Sequence, residues 1–115
     1  MVNKKCDSFK LTEKIVNILD DKKAENVTTI KIGKVSIIAD NFVICTGNSS
    51  AHVRSLVDEV EKKLKDEGER ALNISGYRSA KWVLMDYGSV FVHVFDPESR
   101  EFYNIERLWS DGDNR

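Results

Sequence analysis

Apolar residues at Leu11, Ile15, Ile18 and Leu19 recur at steps of three and four. That spacing predicts an amphipathic helix from Ser8 or Phe9 to Asp21, with Ser8 as its cap. Polar Lys22 to Asn26 ends it. Val27 to Ile32 is β-branched enough to form a strand, which Gly33 stops. Lys34 to Asn41 has no clear period and reads as a short turn holding Val35, Ile37 and Ile38 against the core. Phe42-Val43-Ile44-Cys45-Thr46 is a continuous apolar run, as in a strand covered on both faces. After Gly47-Asn48-Ser49-Ser50, the stripe Val53, Leu56, Val57, Val60 and Leu64 predicts a long helix. Ser49 or Ser50 would cap it and Gly68 would stop it. Its other face (Arg54, Asp58, Glu61, Lys62, Lys65) carries mixed charge, as a solvated face does.

Leu72 to Ser75 reads as a short strand, and Gly76 to Lys81 as a polar loop. Two runs of period two, Trp82 to Asp86 and Val90 to Phe95, flank a tight turn and predict a β-hairpin. Pro97 breaks the chain after Asp96. Phe102, Ile105, Leu108 and Trp109 then share a helical face, which predicts a last helix docked on the sheet. Asp111 to Arg115 reads as a frayed tail. The order α, β, β, α, β, β, β, α predicts an α/β fold, a single mixed β-sheet of about five strands packed by helices. Phe42–Thr46 and Val90–Phe95 should lie centrally. The expectation is one domain over 1–115, with an ordered core from about residue 8 to 110.

Composition narrows the function. The chain has 115 residues, 41% of them hydrophobic and 32% charged, as in folded water-soluble proteins. Lys and Arg number 18 against 19 Asp and Glu, so no basic excess exists to grip a phosphate backbone. Direct, sequence-specific nucleic-acid binding is therefore not expected. Cys6, near the terminus, and Cys45, in an apolar strand, imply no disulfide framework and fit a reducing compartment. The opening residues lack a signal peptide's apolar run, and no stretch reaches the ~20 apolar residues of a membrane span. A cytoplasmic location is expected, with no membrane partner.

Candidate chemistry is sparse. Gly47 to Ser50 joins a buried strand to a helix N-terminus, where amides can hold an anion, or it is simply a turn and cap. The Lys of a phosphate-binding P-loop is missing. A nucleotidyltransferase would also need paired carboxylates on a following strand. Leu72-Asn73-Ile74-Ser75 has none, and Asp86 alternates with Leu84 and Trp82. His93 shares a strand face with Phe91 and Phe95, a setting for a structural imidazole. His52 lies in the first turn of the long helix, better suited to a surface role than to catalysis. Neither pairs with Cys6 or Cys45 at zinc-site spacing. A Ser49, His93 and Asp86 set can be drawn, but any chain of this size offers one. Trp82 and Tyr87, with Lys81, Arg78 and Asp86, suit the buried centre and polar rim of a protein interface. Trp82 could equally close the bottom of the core, and Trp109 fits packing on the last helix.

Taken in order, several stretches resemble the ribosomal silencing factor family, also called Iojap-like. They are Asp21-Lys22-Lys23-Ala24-Glu25, Ala39 through Ser50, Gly76, and Trp82 through Gly88. Val92-His93-Val94-Phe95, Arg100-Glu101-Phe102-Tyr103 and Glu106-Arg107-Leu108-Trp109 complete the match. The resemblance implies a nucleotidyltransferase-like fold without its catalytic carboxylate pair, no enzymatic activity and no cofactor. It implies binding to the large ribosomal subunit through its fourteenth protein, which hinders joining of the small subunit and represses translation, and it implies a homodimer. Trp82 matches the family's partner-contacting position, with Asp86, Tyr87 and Lys81 beside it. Asn48 departs from the usual Thr, and Ser89 from the usual Asp after Gly88. The alternatives are a nucleotide-binding or nucleotidyltransferase enzyme using Gly47 to Ser50, and a helper of large-subunit assembly.

Overall fold

The computed structural model describes residues 4–33 and 39–107, with the backbone alone for 4–7. Val35, Ile37, Ile38, Leu108, Trp109, the 111–115 tail and the Cys6 side chain lie outside the described residues. The elements are α1 (Lys4–Asp21), β1 (Glu25–Lys31), β2 (Asn41–Thr46), α2 (Ser50–Asp66), β3 (Asn73–Ser75), β4 (Trp82–Asp86), β5 (Val90–Phe95) and α3 (Pro97–Tyr103). They form a five-stranded sheet in the order β1-β2-β5-β4-β3. β2 and β5 pair in parallel, and the other neighbours are antiparallel. The mixed sheet is as expected, with the two most apolar strands in its interior.

Both long helices pack on one face. Leu11, Ile15, Ile18 and Leu19 of α1 meet Val53, Leu56, Val57, Val60 and Leu64 of α2. Beneath them lie Val43, Cys45, Val83, Met85, Val90, Val92 and Val94. Each large apolar side chain taken fully out of water here contributes about 1.5–3 kcal/mol. Lost solvation pushes the buried Cys45 thiol up to about 12, so it stays a protonated, inert packing group. The ends of α2 are as the pattern predicts. Ser49 Oγ accepts from the His52 amide at 3.1 Å, and Gly68 takes a left-handed φ of +88° just past the last turn.

Two helix expectations need correction. α1 begins at Lys4, four residues before Ser8, so Ser8 is interior and not the cap. Nothing in Lys4 to Asp7 breaks a helix, and the Ser8 carbonyl receives the Thr12 hydroxyl at 2.7 Å. The helix after β5, α3, starts at Pro97, capped by Asp96, whose Oδ1 accepts from the Ser99 amide at 2.8 Å. It ends where Asn104 enters the left-handed region at φ 46°. The stripe is therefore interrupted: Phe102 is 78% exposed, whereas residues 105–107 are helical again and Ile105 packs against the sheet as expected.

Arg100 holds α3 down. Its Nε and Nη2 donate to the two carboxylate oxygens of Glu106, both at 2.8 Å. Nη1 donates to the Asn26 carbonyl and Thr46 Oγ1, and Nη2 also to Thr28 Oγ1. All five guanidinium donors are thus used. The Arg100 bond holds the Glu106 carboxyl below the usual carboxylate range.

Candidate functional site

Opposite the helices, strand register sets one row of side chains per strand. Phe42 pairs with Phe91, Ile44 with His93 and Thr46 with Phe95. Phe95 pairs in turn with Trp82, His93 with Leu84 and Phe91 with Asp86. Directly paired residues project to the same side, so this face is an aromatic layer that runs into β4, with β3 beyond it as the edge strand. α3 caps its Thr28 and Thr46 end through Arg100. Along β4, Val83 and Met85 are buried under the helices, whereas Trp82, Leu84 and Asp86 are half-buried. These three side chains span roughly 13 Å of strand.

Trp82 is held from several directions. Its indole Nε1–H donates to His93 Nδ1 at 3.1 Å. Its ring stacks on Phe95 at 5.1 Å and meets Tyr103 at 4.8 Å. Tyr103, 50% exposed, carries Phe102 edge-on at 5.0 Å. The aromatic layer therefore runs from a closed centre out to solvent at α3. Lys81 is exposed immediately before Trp82, and its carbonyl accepts from the Asp96 amide at 3.0 Å. At the far end Asp86 Oδ1 accepts from the Gly88 amide at 2.8 Å and shapes the hairpin turn.

The loop before β4 is anchored by side chains that the charge pattern assigned to a solvated face. Arg54 donates to the carbonyls of Tyr77 and Arg78, and the Tyr77 hydroxyl donates to Asp58 at 3.0 Å. Gly76 has a φ of +83°, and a Cβ there would lie 2.3 Å from the Trp82 carbonyl oxygen. Only glycine fits so close to the first residue of β4.

Tyr87 departs from its expected place on this surface. It continues the inward alternation of Val83 and Met85, is 8% exposed, and belongs to the core under the helices. Its hydroxyl has no hydrogen-bond partner among the described residues, and burial pushes it up to about 12. The structure thus places Trp82 and Asp86 on one face of β4, with exposed Lys81 just before the strand, and puts Tyr87 behind them. Leu84, Tyr103 and Phe102 join the face. Leu84 was readable from alternation, but Phe102 and Tyr103 needed the left-handed break at Asn104, which a helical stripe hides.

The Gly47 to Ser50 turn is occupied by its own chain. The Gly47 amide donates to the Phe95 carbonyl at 2.9 Å, and the Asn48 amide to His52 Nδ1 at 3.0 Å. His52 Nε2 lies 3.0 Å from the Lys22 carbonyl, so this ring straps the end of α1 to the start of α2. A Cβ on Gly47 would sit 2.9 Å from the Val53 amide nitrogen, so the glycine serves strand-to-helix packing. Among the described residues, no group of three or more His, Cys, Asp or Glu could hold a metal ion. No helix among them is long and apolar enough to cross a membrane.

A profile of the family described as "Ribosomal silencing factor during starvation" matches residues 5–115. The ribosomal silencing factor of Halalkalibacterium halodurans is 44% identical over 101 residues, covering 88% of this chain and 86% of the relative. That of Bacillus subtilis is 39% identical over 92 residues, covering 80% and 78%. A crystal structure of a Chromobacterium violaceum protein superposes with a TM-score of 0.86 at 32% identity, covering 88% of this chain and 84% of the other.

Proposed function

The chain belongs to the ribosomal silencing factor family, and from that membership we propose that it docks on the large ribosomal subunit through the subunit's fourteenth protein and blocks the small subunit sterically. The observation that carries this reading is the start of β4. There a half-buried indole is held by His93, Phe95 and Tyr103, with exposed Lys81 just before it in sequence, Asp86 farther along the strand, and exposed Phe102 and Tyr103 beside it. An anchor of this kind binds without a large ordering cost, because its rotamer is already set. Asp86 spends one oxygen on the Gly88 amide, and the other can meet a basic side chain of the partner. A total buried area on the order of 1,000 Å² or more would make the contact specific.

Such a binder transforms nothing. Translation falls because joined ribosomes fail to form, and the place of action is wherever free subunits meet, in the cytoplasm. A homodimer, as the resemblance implies, belongs to the same reading and is tested by light scattering of the purified chain across concentrations. The direct test is co-sedimentation with isolated large subunits. Wild-type chain should pellet with them, and folded Trp82→Ala chain should stay in the supernatant; equal pelleting of both defeats the reading.

A further inference from the structure

His93 is 4% exposed and lies between Phe42, 4.5 Å away between ring centroids, and Phe95, whose ring is nearly parallel to it at 9° and 6.3 Å. Its two nitrogens fare differently. Nδ1 accepts the Trp82 indole N–H at 3.1 Å, so the neutral ring carries its proton on Nε2. Nε2 is buried with no hydrogen-bond partner among the described residues. A phenyl ring in this aromatic slot would leave no polar atom stranded. Stability therefore does not explain the imidazole. What it supplies, and phenyl could not, is an acceptor facing the indole edge.

We infer that His93 is a positioning residue, whose Nδ1 fixes the indole of Trp82 in the orientation that docks on the partner. The inference rests on the docking role proposed for Trp82 and adds a residue that never touches the partner. The indole has one donor and a half-open setting. Without the acceptor, its N–H is satisfied equally well by water, and the ring is free to leave its place between Phe95 and Tyr103. Docking then requires the ring to be ordered at the moment of contact, which lowers affinity without altering the contact itself.

Two substitutions separate positioning from packing because the two roles predict opposite orders. His93→Phe keeps a ring of similar volume and removes the acceptor. His93→Asn loses volume but keeps an oxygen near the position of Nδ1. Positioning predicts that His93→Phe weakens large-subunit binding about five- to tenfold, and that His93→Asn stays within about twofold of wild type. Packing predicts the reverse. The accompanying readout is the nuclear magnetic resonance signal of the indole N–H. The chain has two tryptophans, and the Trp82 signal is assigned by its loss in Trp82→Phe. In the wild-type chain it should exchange slowly with solvent, in His93→Phe quickly, and in His93→Asn slowly again. Fast exchange in wild type overturns the inference even if His93→Phe fails to fold. Wild-type affinity in folded His93→Phe, with binding still lost in Trp82→Ala, overturns positioning and leaves docking intact. Unchanged binding by Trp82→Ala removes the docking reading itself, and this inference with it.

Discussion

Trp82 is half-buried, so its removal has two consequences that must be read apart. Trp82→Ala is expected to weaken large-subunit binding by about 2 kcal/mol or more, as loss of an anchoring aromatic does, with circular dichroism unchanged. Titration of labelled chain against large subunits measures it. His93 makes a prediction of the opposite kind, in stability. Burial pushes its imidazole from 6.5 down to about 4. Between those values the unfolded chain takes up a proton that the folded chain refuses, so stability is full above about pH 6.5 and falls as the pH drops toward 4. At about 1.4 kcal/mol per pH unit, the loss is about 3 kcal/mol, and His93→Phe should abolish this part of the acid sensitivity. Urea unfolding at pH 7 and pH 4.5, in both chains, checks it. The alternation in Val90 to Phe95 places His93 among phenyl rings, and that much was legible. Its bond to Trp82 was not, because it depends on which residues of β4 and β5 lie opposite each other.

The elements that shape the site are pinned by few residues. Arg100→Ala should release α3, leaving Glu106 and the two threonine hydroxyls without their donor, and cost about 2–4 kcal/mol. Arg100→Lys should recover little of this, since an ammonium cannot reproduce the planar fork. Thermal melting gives the total, and hydrogen exchange over 97–106 should show the loss concentrated there. Gly76→Ala meets the Trp82 carbonyl and a left-handed φ together. It should cost about 2 kcal/mol or more by denaturant unfolding and disturb Trp82 before any other site residue. Period and punctuation made α2, β2, β4 and β5 readable, because each carries a long apolar stripe and a clear stop. The start of α1 and the end of α3 were less readable. Helix propensity alone extends the first, and a left-handed asparagine, which no apolar period reports, ends the second. Long-range polar ties, such as Arg54 to the 77–78 carbonyls, leave no local trace in the chain.

At the scale of the whole molecule, the fold is a slab of 39 × 37 × 22 Å with two unlike faces. One is closed by α1 and α2. The other is aromatic and opens toward β4 and α3, so binding through it would leave a body some 22 Å thick standing on the partner. Subunits that must approach to atomic contact cannot close over such an obstacle, whatever its chemistry. Near-balanced charge, 18 basic against 19 acidic residues, gives the slab no net electrostatic pull toward RNA. On the proposed reading, selectivity then rests with the docking face. The most direct test follows joining of purified large and small subunits by light scattering, with the large subunits first saturated by this chain. The account predicts that wild-type chain suppresses the rise in scattering and that Trp82→Ala at the same concentration does not. An undiminished rise with wild-type chain bound to the large subunit would contradict it.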